Sequence, residues 1–431
     1  MLWHALLLAL PLAHAARFRV PHAHSLERRL PASWYQHDDH PVHALFRRGP
    51  PTDGTNYPQV GSPTWSAAYP SSSPDVNALP QQWVAALNAA VDAGKIPNIP
   101  QSSNTPGTNP VYPAGFNPNG PQVCSATYKC QIPGDVWDAP DDYFAISFDD
   151  GPTPASPRLL QFLEGNNQTA THFMIGVNIL QNPQLFLDIF NAGHDIAVHT
   201  WTHPYMTTLT NLEIVAQLGW TAEIIRNSTG GRVPRYWRPP YGDSDMRVRS
   251  IAKEVFGLET VIWNHDTEDW SLTSPKGTTP QIIHDSFVQW LSGPKSPGII
   301  TLEHELSDMS VSAFMDAWPL LGPAGWKTGS LAEIVGDSAY QNSDDSDSPV
   351  TLDGVVAGQT TAGSSSSSAS ATSTPLVRSI STASPTAPAG SASAQSTQTS
   401  NAASHHASWA LSGVAFSLCV PAFMAAFSIL A

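Results

Sequence analysis

Residues Tyr143–Ile175 read YFAISFDDGPTPASPRLLQFLEGNNQTATHFMI. The run Tyr143–Phe148 is apolar but for one serine and has strand length, and it stops at two adjacent carboxylates, Asp149 and Asp150, before Gly151-Pro152 breaks the chain. A helical pattern occupies 156–164, and a second short apolar run follows at Ala170–Ile175. Two strands joined through a helix run parallel, because a parallel pair needs a long crossover.

The same unit recurs along the chain. Further strands are expected at His194–Val198, Arg235–Trp237, Thr260–Trp263 and Gly298–Leu302, with helices at 179–191, 211–227, 244–256 and 279–291. Strands alternating with helices in this number, without a Gly-x-Gly-x-x-Gly loop, point to an α/β domain built as a (β/α) barrel rather than a dinucleotide-binding sheet. The barrel is expected over 124–340. Residues 16–123 are rich in Pro, Asn, Gly and His and read as an N-terminal extension, with one helical pattern, QQWVAALNAAVDAG, around 82–94. Arg28-Arg29 and Arg47-Arg48 are either processing sites in the secretory path or surface charges.

Both ends carry addressing patterns. Residues 1–15 hold an apolar run closed by Ala13-His14-Ala15, the order of a signal peptide, although a basic start is missing; a membrane anchor is the competing reading. Residues 341–404 are expected to be disordered. From Ala362 to Ser404 they are mostly Ser, Thr, Ala and Pro with one charge, Arg378, and read as an O-glycosylated stalk. Small residues including Asn401, a short spacer and an apolar tail within 405–431 follow the order of a GPI-anchor signal, with attachment expected at Asn401; a tail-anchored helix is the alternative. Two cysteines outside that tail, Cys124 and Cys130, lie close enough to close a small disulfide loop in a secreted chain. Asn167 and Asn227 are N-x-S/T glycosylation acceptors. The formal net charge of −15 argues against nucleic acid, whose binding depends on basic side chains releasing phosphate counterions.

Polar residues gather at the C-terminal ends of the expected strands, the rim where barrel enzymes place their chemistry. They are Asp149-Asp150, His199 and His203 in HTWTH, Arg238 to Tyr241 in RPPY, Asp266 to Trp270 in DTEDW, and His304 in LEH. Two imidazoles four apart suit a metal, and Pro204 places His203 in a turn rather than mid-helix. With one carboxylate they form a three-ligand set with open positions. Neighbouring aspartates do not easily reach one ion, so one should bind metal while the other acts as a base on the activated water. A cation and an arginine then offset the paired charges. Alternatives at this stage are a ferrous oxygenase site, a glycosidase pair in Asp266 and Asp269, and an inactive wall-binding module. Arg238 also reads as a structural ion-pair residue, Trp270 as core and Asp266 as a turn cap. His172, His194 and His284 read as core or surface histidines.

The ordered set SFDDGP, HTWTH, RPPY, DTEDW and LEH, over roughly 143–305, resembles the five motifs of the polysaccharide deacetylases, carbohydrate esterase family four. That resemblance implies a distorted (β/α) barrel of the NodB homology type and metal-dependent removal of acetyl groups from N-acetylglucosamine units. By the same resemblance Asp149 is the general base, Asp150, His199 and His203 hold zinc or cobalt, and Arg238 positions Asp149. The Tyr241 backbone N–H supports the oxyanion, His304 is the general acid with Asp269 tuning it, and Trp270 and Leu302 line the acetyl pocket. Ser147 stands where the family commonly has Thr, and Glu305 where Asp is frequent. The segment Trp34–Arg48 is similar to that of fungal chitin deacetylases. With the secretory and anchor signals, it makes chitin or its oligomers the expected substrate, acted on at the cell wall and outer membrane face. Peptidoglycan and xylan are the alternatives, with no nucleic-acid or protein partner expected.

Overall fold

In a computed structural model, residues 51–351 are described apart from Pro106 and Asp337. The expected signal peptide (1–15), both dibasic pairs, Trp34–Arg48, most of the stalk, Asn401 and the 405–431 tail lie outside the described residues. Among the described residues, no helix is long and apolar enough to cross a membrane.

The strands are β1 Tyr143–Asp149, β2 Thr171–Met174, β3 Asp195–Val198, β4 Tyr236–Trp237, β5 Glu259–Thr260, β6 His265–Asp266, β7 Ile299–Leu302 and β8 Lys327–Ser330. Every pairing between them is parallel, in the order β5-β4-β3-β2-β1-β7-β6. The barrel is therefore distorted and open between β5 and β6. β1 is the axis of the distortion. One edge pairs with β7 at Phe144 and Ala145, and the other is shared, with β8 along Tyr143–Ile146 and β2 along Ser147–Asp149. The two-residue strands β4 and β5 are shorter than the runs that announced them, and β6 and β8 were not expected at all.

Helices α1 Pro63–Ser66, α2 Gln81–Asp92, α3 Ser156–Gly165, α4 Gly176–Gln181, α5 Pro183–Asn191, α6 Asn211–Ser228, α7 Met246–Phe256, α8 Pro280–Leu291, α9 Asp308–Ala317 and α10 Leu331–Val335 complete the framework. The helix expected over 179–191 is two helices, because Pro183 lacks an N–H and starts a new first turn. A capping box opens α6, with Thr210 and Glu213 exchanging side-chain and backbone bonds.

Two buried clusters flank β1. Alternation sends Phe144, Ile146 and Phe148 outward against Leu159, Phe287 and Phe314, while Ala145 joins Phe173, Trp201 and Trp237 on the other side. The boundary expected at 124 does not separate two cores. Trp65, Tyr69 and Trp83 from the 51–123 segment sit in the same cluster as α6 and α7, with Trp83 ring-to-ring against Trp220 and Phe256. The boundary at 340 is likewise internal, since Gln341 and Asn342 hydrogen-bond to Val233 and Ser346 is buried. Cys124 and Cys130 form a disulfide. Of the glycosylation acceptors, Asn167 is exposed in a left-handed turn after α3, whereas Asn227 is half-buried on α6 and donates to Tyr69 Oη at 3.1 Å.

Candidate active site

Pleat alternation turns Ser147 and Asp149 toward the barrel interior, where both meet Arg238. Its Nη1 donates to Asp149 Oδ1 at 2.6 Å and its Nη2 to Ser147 Oγ at 3.1 Å. Arg238 is fully buried, its guanidinium 4.2 Å from the Phe173 ring centroid. A carboxylate as buried as Asp149 requires such a partner, because an isolated interior charge costs several kcal/mol. With Oδ1 taken by the arginine, Oδ2 remains, 3.7 Å from His199 Nε2.

Asp150 adopts φ of 74°. This left-handed conformation costs a non-glycine residue about 1–2 kcal/mol, and here it reverses the alternation and returns the second carboxylate to the same cavity. Its Oδ1 lies 3.4 Å from both His199 Nε2 and His203 Nε2. That one dihedral angle lets both adjacent aspartates face the cavity, with Asp150 the one grouped with the two imidazoles. His203 and Thr200 are also left-handed, at 60° and 63°, so the HTWTH segment is an irregular loop, as Pro204 foretold. Strain of this kind collects where a chain must present side chains against its preferences.

The ligand atoms of Asp150, His199 and His203 lie within 4.8 Å of one another. His199 Nδ1 is 2.7 Å from the Arg238 carbonyl, which only accepts, so Nδ1 carries the proton and Nε2 presents a lone pair. Burial lowers the His203 pKa to about 4, leaving that imidazole neutral at physiological pH. Burial alone would raise the pKa of Asp150, but His203 and His199, with His304, hold it well below its ordinary value. Among the described residues, Asp150 Oδ1 is buried without a hydrogen-bond partner. One orphaned carboxylate oxygen and two imidazole nitrogens form a donor set that fits a divalent cation.

Opposite stands His304. Its Nδ1 lies 2.5 Å from Asp269 Oδ1, and its backbone N–H donates to Asp269 Oδ2 at 2.8 Å. Burial by itself would lower the His304 pKa, but Asp269, aided by Asp150 and Asp149, pushes it up to about 10. The backbones of the two sides are tied directly, because Asp149 N–H donates to Glu303 O at 2.9 Å and Glu305 N–H donates to Asp149 O at 3.1 Å.

At the rim Tyr241 has φ of 60°, stacks on Tyr205 at 4.0 Å and meets His203 edge-on. Trp270 is 53% exposed, which removes the reading of it as core, while Leu302 is buried in the main cluster. Asp266 accepts from the Glu268 N–H at 2.8 Å and caps its turn. His172 and His194 are core residues and His284 is exposed, as read from sequence. Sequence reading passed over Gln217, whose Oε1 accepts from both Trp201 and Thr202 N–H at 2.9 Å and whose Nε2 donates to Thr202. A glutamine buried mid-helix was the available signal. Gly176 was also missed; a Cβ there would enter the Trp201 ring.

A family model described as polysaccharide deacetylase matches residues 138–261. Chitin deacetylase 3 of Cryptococcus neoformans is 40% identical over 335 residues, 77% of this chain and 79% of that protein. The chain belongs to the polysaccharide deacetylase family. Another relative, chitin deacetylase 2 of Saccharomyces cerevisiae, is 38% identical over 188 residues, 42% of this chain and 58% of that protein. Among solved structures, the chitin deacetylase of Colletotrichum lindemuthianum has a TM-score of 0.44 at 25% identity, covering 49% of this chain and 97% of that one. In this polysaccharide deacetylase the stretches SFDDGP, HTWTH, RPPY, DTEDW and LEH are gathered by the fold at the C-terminal ends of the strands.

Proposed function

We propose that this protein removes acetyl groups from the N-acetylglucosamine units of chitin, releasing acetate and leaving chitosan. The observation that carries the reading is one cavity holding three separately prepared groups. They are the Asp150–His199–His203 donor set, Asp149 fixed by Arg238, and His304 fixed by Asp269.

A divalent ion, zinc or cobalt, would be held by Asp150, His199 and His203, where it supplies a more acidic water and polarises the acetyl carbonyl. Asp149 Oδ2 would take the proton from the water that adds to the carbonyl carbon. Arg238 keeps Asp149 in place. The backbone N–H of Tyr241 supports the negative charge gathering on the carbonyl oxygen. His304, with Nδ1 engaged by Asp269, delivers its proton from Nε2 to the nitrogen as the C–N bond breaks, since an amine anion is too poor a leaving group to depart alone. Trp270 covers the acetyl methyl, with Leu302 behind it. A ferrous oxygenase would leave Asp149 and His304 without roles.

The similarity to fungal chitin deacetylases supports action outside the cell, at the wall. A signal peptide at 1–15, a stalk over the Ser/Thr-rich segment and a lipid anchor at Asn401 complete that reading. The testing experiment measures acetate from a chitin oligomer after chelation and again after zinc or cobalt is restored, beside acetylated peptidoglycan and xylan. Metal-dependent release from chitin is the expected result. Release from only one of the other polymers would move the substrate, and release from none would remove the catalytic reading.

A further inference from the structure

Behind the strand ends lies a buried polar row for which the reaction has no use. Glu305 Oε1 is 2.6 Å from His172 Nδ1, and His172 Nε2 is 2.9 Å from His194 Nδ1. All three residues are at most 1% exposed. His172 lies on the helix-facing side of β2 with Phe148, away from Asp149.

Glu305 touches both halves of the site. It follows His304 directly, and its N–H donates to Asp149 O. Its carbonyl accepts from Thr153 Oγ1 at 2.5 Å, and its carboxylate fills the space where a Cβ on Gly151 would stand. The turn through Asp150 and Gly151 is thus packed on the Glu305 carboxylate, which β2 holds through His172. Glu305 Oε2 has no hydrogen-bond partner among the described residues. A partly satisfied buried carboxylate costs free energy that an apolar side chain would not, so stability alone does not account for it.

We propose that Glu305, held by His172, is a positioning residue that sets the spacing between the Asp149-Asp150 turn and His304. The proposal rests on the deacetylase reading for its kinetic consequence. Reach is decisive: aspartate is shorter by about 1.5 Å and loses His172 while keeping the charge, whereas glutamine keeps both reach and an acceptor.

The test compares Glu305→Asp, Glu305→Gln and His172→Phe with Ser330→Ala. Ser330 belongs to a separate buried network with Thr171 and Asp195. Three quantities are read: kcat and KM for acetate release, the zinc dissociation constant of the stripped protein against a competing chelator, and Tm. Glu305→Asp and His172→Phe are expected to lose about 10–100-fold in kcat or zinc affinity with KM within about twofold. Glu305→Gln should stay near wild type, and Ser330→Ala should lower Tm alone. Wild-type kcat and zinc affinity in Glu305→Asp and His172→Phe overturns the proposal, as does Glu305→Gln falling as far as Glu305→Asp. If Glu305→Asp does not fold, His172→Phe carries the same comparison. Were wild type inactive on every acetylated polymer, the deacetylase reading would fall, and the zinc affinities would still judge the brace.

Discussion

Asp269→Asn isolates the proton donor. Burial would lower His304 from its ordinary 6.5, yet Asp269, with Asp150 and Asp149 assisting, pushes it up to about 10. His304 thereby stays protonated through neutral and mildly alkaline pH, the form that a departing amine requires. Asparagine removes the charge and sets an NH2 group against one of the two His304 N–H donors that the carboxylate now accepts. With the pKa back near 6.5, about 3% of molecules carry the proton at pH 8, so protonation alone lowers kcat there roughly thirty-fold. A bound cation offsets the help from Asp149 and Asp150, so the wild-type alkaline limb should fall between 6.5 and 10. The assay is acetate release at saturating oligomer across the pH range, where the variant's alkaline limb should move to near neutrality. A limb that does not move, or a loss equal at every pH, would refute the assignment. The same pairing has a stability sign: a raised pKa contributes fully below pH 6.5 and is lost as pH rises through about 10. The wild-type Tm should carry a decline over that window that Asp269→Asn lacks.

Asp149→Asn should cost about 10²–10⁴-fold in kcat while zinc affinity, read by chelator competition, changes little. Arg238→Met strands the buried Asp149 carboxylate, and denaturant unfolding should show a loss of about 3–5 kcal/mol. Trp83→Ala removes a buried indole that joins the 51–123 segment to α6 and α7, and should cost about 3–5 kcal/mol; a wild-type Tm would mean that the segment is dispensable.

The motif-bearing strands β1, β3, β4 and β7 were legible because each is a short, largely apolar run ending in polar or charged residues, and Tyr143–Phe148 stands in the fold almost as read. β6 and β8 were not, since HD and KTGS have no apolar period and form strands only against β7 and β1. The 51–123 segment looked detachable because it is rich in Pro, Asn and Gly. Its attachment depends on a few buried aromatics whose partners are more than a hundred residues away. Within the site, residue identities were readable, but the left-handed turn at Asp150 and the Glu305–His172 contact are tertiary facts with no local pattern.

The shared edge of β1 also orders events in time. Its catalytic half pairs with β2, made soon after it, whereas its lower half waits for β8, some 180 residues later in the chain. Pairings so distant in sequence close slowly. A chain emerging N-terminus first can assemble Asp149, Asp150 and the histidine loop on β1, β2 and β3 while half of one β1 edge is still unpaired. That half-edge is a template for other strands, and it stays open until residues 327–330 arrive, which makes β8 the clasp on which escape from aggregation depends.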